Sequence, residues 1–220
     1  MKIFLDTADI EAIKRANDTG LLDGITTNPS KILESGKNFN EIIREICKIV
    51  KGPVSAEAVA YSAEDIVKEA VIISGIAPNV AIKVPMTPEG LKASIMLKEK
   101  NIDANVTMVF SPDQALLAMK TNPRFVSIVI SRLDKIGGDI EAFIRDTMLI
   151  KKNYGFSADI LAASIKDRNT IFHCLRAGVD AITIPENLFF NMFEHPQTDQ
   201  GLAEFDVAWE KLIDAGLVQK

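Results

Sequence analysis

The sequence predicts an α/β protein in which residues 1–220 form one domain, a single closed (β/α)8 barrel. Short apolar runs alternate with segments of helical periodicity from one end of the chain to the other. Strands separated by helices in this way pair in parallel through right-handed crossovers. No linker, low-complexity tract or block of like charge divides the chain, so we expect no second domain.

The predicted strands are short runs rich in aliphatic and β-branched residues. In chain order they are residues 2–6, 24–28, 53–58, 80–85, 104–109, 125–130, 159–164 and 180–185. An open doubly wound sheet is the alternative arrangement of such strands. That arrangement normally carries a glycine-rich turn after the first strand, and residues 6–11 contain no glycine. The closed barrel, a TIM barrel, is therefore favoured.

Helices are predicted between the strands, where apolar residues recur every three or four positions. These helices cover residues 10–20, 39–50, 63–75, 89–100, 112–120, 139–153 and 166–178. Two more follow the eighth strand, at residues 186–193 and about 200–216. The last carries Phe205 and Trp209 four positions apart, a spacing typical of a packing face. We expect this extra C-terminal helix to pack on the chain's own barrel or on a neighbour's.

Composition argues against several classes of function. A net charge of -5 and a pI near 5.2 do not suit binding to nucleic acid or to an anionic membrane. No apolar run is long enough to span a membrane, and no signal-peptide pattern begins the chain. Cys47 and Cys174 lie in helical patterns and predict reduced, buried thiols. We expect a cytoplasmic protein without a metal site, since His173 and His195 lack ligand spacing.

Polar residues recur near the C-terminal ends of the predicted strands. They are Asp6, Asn28, Glu57, Lys83, Asn105 with Thr107, Arg132 and Ser164, and Thr26 shares a strand face with Asn28. Their spacing runs from 22 residues (Asp6 to Asn28) to 32 (Arg132 to Ser164), the length of one βα unit. Each alone could be a helix cap or a turn former. Together they predict an active site at the C-terminal face of the barrel.

Lys83 lies inside the apolar run NVAIKVPMTPEG. Desolvation favours the neutral amine of a buried lysine. A neutral amine attacks carbonyl carbons, and the Schiff base that forms withdraws electrons from a carbon–carbon bond as it breaks. Asp6 and Glu57 can move protons in such a reaction, and Thr107 can orient a water. The alternative is a strand-end lysine whose ammonium reaches solvent.

Eight motifs carry a resemblance to a known family. They are FLDTADIEAIKRA, DGITTNPS, GPVSAEA, IKVPMTPEGLKA, NVTMVFSPDQALLA, SRLDKIGGD, LAASIK and HPQTDQGLAEFDVAW. In this order they resemble the short-chain transaldolase and fructose-6-phosphate aldolase family over nearly the whole chain. The resemblance implies a class I aldolase barrel without a cofactor. It also implies a homo-oligomer, a pentamer or decamer, in which the C-terminal helix docks on the adjacent subunit.

The resemblance implies a role for each polar residue. The implied catalytic residues are Lys83, Asp6, Glu57 and Thr107, and the implied substrate-binding residues are Thr26, Asn28, Asn105, Arg132, Ser164 and Lys166. Lys83 would form the Schiff base, Asp6 would be the general acid/base, and a water would lie on Glu57 and Thr107. Asn28 and Asn105 would contact sugar hydroxyls. Arg132, Ser164 and Lys166 would bind the phosphate.

Two positions bear on the reaction. In the third-strand motif, the transaldolases of the family that this chain resembles carry glutamate and the aldolases carry glutamine. This chain has Glu57 there. In the sixth strand the aldolases carry tyrosine and the transaldolases phenylalanine, whereas this chain has Val129. We expect a transaldolase that converts sedoheptulose 7-phosphate and glyceraldehyde 3-phosphate into erythrose 4-phosphate and fructose 6-phosphate. The alternatives are a lyase on the same scaffold, a transaldolase for a non-standard ketose such as a sulfonated one, and a non-catalytic barrel.

Overall fold

Eight parallel strands close into a barrel in chain order, with β1 paired to both β2 and β8. The strands are β1 (Lys2–Asp6), β2 (Gly24–Thr26), β3 (Val54–Glu57), β4 (Val80–Pro85), β5 (Ala104–Val109), β6 (Phe125–Val129), β7 (Asp159–Ala163) and β8 (Ala181–Ile184). This is a computed structural model that describes residues 1–218; Gln219 and Lys220, part of the predicted domain, lie outside the described residues. The predicted α/β class and closed barrel are confirmed, and the open sheet is wrong.

Helices follow every strand. They are α1 (Ile10–Asp18), α2 (Pro29–Ser35), α3 (Phe39–Ile49), α4 (Ala63–Ser74), α5 (Pro88–Glu99), α6 (Pro112–Lys120), α7 (Ile130–Asp134), α8 (Ile140–Tyr154), α9 (Arg168–Ala177), α10 (Glu186–Asn191) and α11 (Pro196–Asp214). The short helices α2 and α7 were not predicted. They shorten two strands relative to prediction, because Asn28 caps α2 and Ile130 begins α7.

A capping residue followed by proline begins four of the helices. Asn28 Oδ1 accepts a hydrogen bond from the Lys31 backbone N–H at 3.0 Å, and Pro29 occupies the first turn of α2. Pairs of the same kind begin α5, α6 and α11. Proline fits there because the first-turn N–H groups have no partner within the helix. The cap His195 thus starts α11 before the predicted residue 200.

An apolar layer fills the N-terminal half of the barrel interior. It consists of Phe4, Ala81, Phe125, Leu161 and Ala181, all fully buried. The rings of Phe4 and Phe125 meet edge to face, with centroids 5.7 Å apart. Because side chains alternate along a strand, the residue two positions further along also points inward. On these strands that rule places Asp6, Lys83, Ser127, Ala163 and Thr183 above the apolar layer.

Both cysteines are held as thiols. Burial raises the pKa of Cys47 to about 11 and that of Cys174 to about 12, so neither ionises at neutral pH. Cys174 is buried, Cys47 is partly buried, and both are free. The prediction of a buried thiol is therefore confirmed for Cys174 and holds only in part for Cys47. Among residues 1–218, no helix has the length and apolar character needed to cross a membrane.

The C-terminal helix α11 has no buried residue along its 19 positions. Leu202, Phe205, Trp209 and Leu212 are between 37% and 72% exposed. Their spacing of three and four positions places them on one face of the helix. An amphipathic helix gains most of its stability by packing that face against another element. The predicted extra helix is present, and its apolar face is uncovered in the single chain.

Candidate active site

A cavity of about 320 Å³ lies at the C-terminal ends of the barrel strands. Eight of the ten predicted site residues line it: Asp6, Thr26, Asn28, Glu57, Lys83, Thr107, Arg132 and Ser164. The other two, Asn105 and Lys166, are not part of its lining. Residues from seven consecutive strands, β1 to β7, or from the segments that follow them therefore meet at one place. That is the arrangement expected for the active site of a (β/α)8 barrel.

Lys83 lies in β4 with its side chain only 12% exposed. Its Nζ donates hydrogen bonds to Glu57 Oε2 at 3.2 Å and to the Thr27 carbonyl oxygen at 3.1 Å. The strand register brings the two side chains together, because Glu57 of β3 pairs with Lys83 of β4. The sequence suggested an apolar environment, and the flanking Ile82 and Val84 are indeed buried. The amine itself, however, has polar partners that offset the cost of burying its charge.

Asp6 lies at the end of β1 and shares a hydrogen-bond chain with two threonines. Thr26 Oγ1 donates to Asp6 Oδ1 at 3.1 Å. Thr26 Oγ1 also lies 2.7 Å from Thr183 Oγ1. Thr183 lines the cavity and was not predicted. Its position two residues after the inward-facing Ala181 was the signal that could have identified it.

Asn105 is fully buried and makes hydrogen bonds within the protein. Its Nδ2 donates to Ser55 Oγ at 3.1 Å, and its Oδ1 accepts from Ser127 Oγ at 2.7 Å. It pairs with Lys83 across the β4–β5 register, so the two residues are neighbours although Asn105 is outside the cavity lining. Ser127, which does line the cavity, is its link to the site.

The predicted anion-binding residues divide into two groups. Arg132 on α7 and Ser164 after β7 both line the cavity. Ser131 Oγ and Ser164 Oγ lie 2.6 Å apart, which connects the two segments. Ser164 has a φ of 60°, a left-handed conformation that costs energy for a residue with a Cβ and often marks a functional site. Lys166 is exposed and lies outside the lining.

An irregularity in β5 shapes the cavity beside Lys83. The register with β6 shifts between Val106 and Val109, and Met108 has a φ of 64°. Consecutive residues of a regular strand point to opposite faces. The shift lets both Thr107 and Met108 line the cavity. We find no sequence signal that would have identified Met108.

Val129 lines the cavity at the end of β6, as expected for the position where the resembling families carry an aromatic residue. It is 7% exposed. In the described part of the chain, the residues that line this cavity include no tyrosine or phenylalanine. This wall therefore offers no phenol hydroxyl for proton transfer.

Comparison with known proteins gives a consistent result. Residues 3–220 match the transaldolase/fructose-6-phosphate aldolase family. Curated relatives named "Probable transaldolase" include one from Moorella thermoacetica, 47% identical over 96% of this chain and 99% of that protein. Another, from Methanococcus maripaludis, is 46% identical over 96% of this chain and 98% of that protein.

A solved structure shows the same fold at low identity. A putative phosphonomutase from Burkholderia cenocepacia J2315 matches with a TM-score of 0.62 and 11% identity, over 92% of this chain and 93% of that one. At this identity the likeness concerns the fold alone. The match of residues 3–220 and the high identity to curated relatives settle the family. The chain belongs to the transaldolase/fructose-6-phosphate aldolase family.

Proposed function

We propose that this protein is a transaldolase that carries a dihydroxyacetone unit between sugar phosphates on Lys83. The proposed reaction converts sedoheptulose 7-phosphate and glyceraldehyde 3-phosphate into erythrose 4-phosphate and fructose 6-phosphate. One observation carries the proposal: Lys83, whose side chain is 12% exposed, has its amine 3.2 Å from a carboxylate oxygen of Glu57, in a cavity that also contains Asp6. The names of the curated relatives support the same activity.

The chemistry begins with the amine. Lys83 must lose a proton before it attacks the ketose carbonyl, and Glu57, its hydrogen-bond partner, is the nearest carboxylate acceptor. Attack gives a carbinolamine, which loses water to form a protonated Schiff base. Asp6 then takes the proton of the sugar hydroxyl next to the breaking carbon–carbon bond. The aldose leaves, and three carbons remain on Lys83 as an enamine.

Transfer occurs when the enamine attacks the aldehyde of an incoming aldose phosphate. Asp6 returns its proton to the new hydroxyl. We assign Asn28 and Thr26 to the hydroxyls of the bound chain, because both line the cavity. Arg132 and Ser164, which also line it, are assigned to the phosphate. Water then adds to the Schiff base of the new ketose, which leaves and frees Lys83. Dihydroxyacetone is released instead when the three-carbon enamine is protonated and its Schiff base is hydrolysed before an acceptor arrives.

We predict that transfer exceeds hydrolytic release. Glu57 and Thr107 line the same cavity and are proposed to hold the water that would otherwise attack the Schiff base. Transfer from fructose 6-phosphate to erythrose 4-phosphate should exceed acceptor-free release of dihydroxyacetone by at least about tenfold, roughly 1.4 kcal/mol in barrier height. Glu57→Gln should lower that ratio, because the amide binds the water less strongly than the carboxylate does. The ratio is measured by following both products with and without acceptor.

The control for this assay is Glu41→Gln, which removes an exposed carboxylate on α3 and should leave the ratio unchanged. Rapid release by the unmodified protein, with no gain from added aldose phosphate, would identify a lyase instead. The replacement of an aromatic residue by Val129 favours a further candidate, a transaldolase for a non-standard ketose. Faster transfer from a sulfonated ketose than from its phosphorylated counterpart would support that candidate.

We also propose that the protein is a cytoplasmic homo-oligomer, a pentamer or decamer, in which α11 docks on the neighbouring subunit. An apolar groove of about 610 Å³ opens beside the active-site cavity and shares Pro29 and Glu57 with it. The groove lining includes Ile32, Leu33, Phe39, Val59 and Ile72. The uncovered face of α11 is apolar, as this groove is, so contact between them would bury apolar surface on both sides. We propose that the α11 of a second copy occupies this groove.

Phe205→Glu combined with Trp209→Glu should dissociate the oligomer, because burying two carboxylates in a mostly apolar groove costs free energy. Light scattering should then report a protomer of 24.1 kDa in place of a mass about five or ten times larger. Lys211→Glu changes the charge on the opposite side of α11 and should leave the assembly intact. An unmodified protein that is already a protomer would refute the proposed docking.

A further inference from the structure

We propose that Thr183 is a positioning residue that fixes the hydrogen bond from Thr26 to Asp6. The inference goes beyond the proposed function, but it rests on the role of Asp6 as general acid/base in that function. Neither the motifs of the chain nor the predicted site residues include Thr183. The case for it comes from three side chains that barrel closure brings together, from β1, β2 and β8.

The two threonines are buried and closely spaced. Thr183 is 1% exposed and Thr26 is 5% exposed. Their Oγ1 atoms lie 2.7 Å apart, and Thr26 Oγ1 lies 3.1 Å from Asp6 Oδ1. β1 pairs with β2 at Asp6 and Thr26, and it pairs with β8 at Phe4 and Thr183. All three polar groups line the active-site cavity.

Counting the available protons gives the hydrogen bonds among Thr183, Thr26 and Asp6 a direction. A threonine hydroxyl donates one hydrogen bond, and an ionised carboxylate only accepts. If Thr26 donates to Asp6, its hydroxyl proton is used, and the short contact to Thr183 requires Thr183 to be the donor. The order is then Thr183 to Thr26 to Asp6. If Thr183 were unable to donate, the Thr26 hydroxyl could rotate away from the carboxylate.

The direction matters because a single hydrogen bond orients the Asp6 carboxylate in the described part of the chain. Within residues 1–218, Thr26 is the only group that donates a hydrogen bond to the Asp6 carboxylate. That bond engages Oδ1 and leaves Oδ2 to take and return the substrate proton. A donor that itself accepts a hydrogen bond is a stronger donor. Thr183 thus holds the carboxylate plane in place and strengthens its one hydrogen bond, without touching the substrate proton itself.

Two substitutions at Thr183 separate this role from packing. Thr183→Val keeps the methyl group and the volume but removes the hydroxyl, whereas Thr183→Ser keeps the hydroxyl and removes the methyl group. We expect Thr183→Val to lower kcat for transfer about tenfold, with KM changed by less than about twofold. Thr183→Ser should keep kcat within about threefold of the unmodified protein. A packing role predicts the reverse order, with serine the poorer substitute, and that result would overturn the inference.

A double-mutant cycle tests whether Thr183 acts through Thr26. If it does, kcat of the double variant Thr26→Val with Thr183→Val should be no more than about twofold below kcat of Thr26→Val alone. If the two substitutions instead lower kcat by independent factors that multiply, the proposed hydrogen-bond chain is overturned. The control is Thr147→Val on α8, whose buried hydroxyl has no hydrogen-bond partner among the described residues. This control should leave kcat unchanged.

The outcomes also separate this inference from the proposed function. If the unmodified protein transfers dihydroxyacetone and Thr183→Val does so equally well, the positioning role is wrong and the function stands. If the unmodified protein transfers nothing to any aldose phosphate, the proposed function fails, and the role of Thr183 fails with it. If Thr183→Val lowers kcat for transfer and Thr183→Ser does not, both the positioning role and the proposed function are supported.

Discussion

Lys83→Met is expected to abolish transfer, with kcat falling by at least about a thousandfold, because in the described part of the chain no other lysine lines the cavity to form the Schiff base. Incubation of the unmodified protein with fructose 6-phosphate and borohydride should add one reduced dihydroxyacetone unit, and peptide mapping should find it on Lys83. Lys83→Met should give no adduct. Both results are read by mass spectrometry of the intact protein and of its peptides.

The fold is expected to survive this substitution. Methionine replaces most of the volume of the lysine side chain, and Glu57 is 25% exposed, so its carboxylate can be solvated after the ion pair is lost. Circular dichroism and Tm check this point. The control Lys152→Met removes an exposed lysine of α8 and should change neither the adduct nor kcat. An adduct on any lysine other than Lys83 would overturn the mechanism.

Arg132→Ala is expected to raise KM for phosphorylated sugars about a hundredfold. A guanidinium donates two charge-assisted hydrogen bonds to a phosphate, each contributing about 1.5 kcal/mol or more. Within the described chain, Arg132 has no hydrogen-bond or ion-pair partner, so its side chain is available to a ligand. KM for free dihydroxyacetone should change by less than about twofold. Steady-state kinetics with both substrates measure the difference.

The matched control is Arg145→Ala, which removes an exposed arginine of α8 that pairs with Asp146. Equal weakening of both substrates by Arg132→Ala would make Arg132 structural and place the phosphate elsewhere. Lys166→Ala belongs in the same series, because Lys166 was predicted to bind the phosphate but lies outside the cavity lining. If Lys166→Ala raises KM for phosphorylated sugars only, Lys166 binds the phosphate. If KM does not rise, Lys166 has no part in phosphate binding.

Much of the candidate site could be predicted from local sequence patterns. Strand-end positions recur at the length of a βα unit, and parallel closure brings such positions to one face. Lys83 and Glu57 therefore meet as neighbours in the register of β3 and β4. The pattern also extended two strands too far, to the cap of α2 and into α7, because the helices that Asn28 caps and Ile130 begins are each too short to show a clear period. Capping chemistry at Asn28–Pro29 was the signal for the first of them.

The sequence by itself determined the α/β class, the order of the strands and most of the residues that line the cavity. These depend on periodicity and spacing, which are local properties of the chain. Only the tertiary structure decided what each side chain contacts. Barrel closure places Thr183 of β8 against Thr26 of β2, the register shift in β5 turns Met108 inward, and the packing around Asn105 buries its amide. These contacts join residues far apart in the sequence, so no local pattern encodes them.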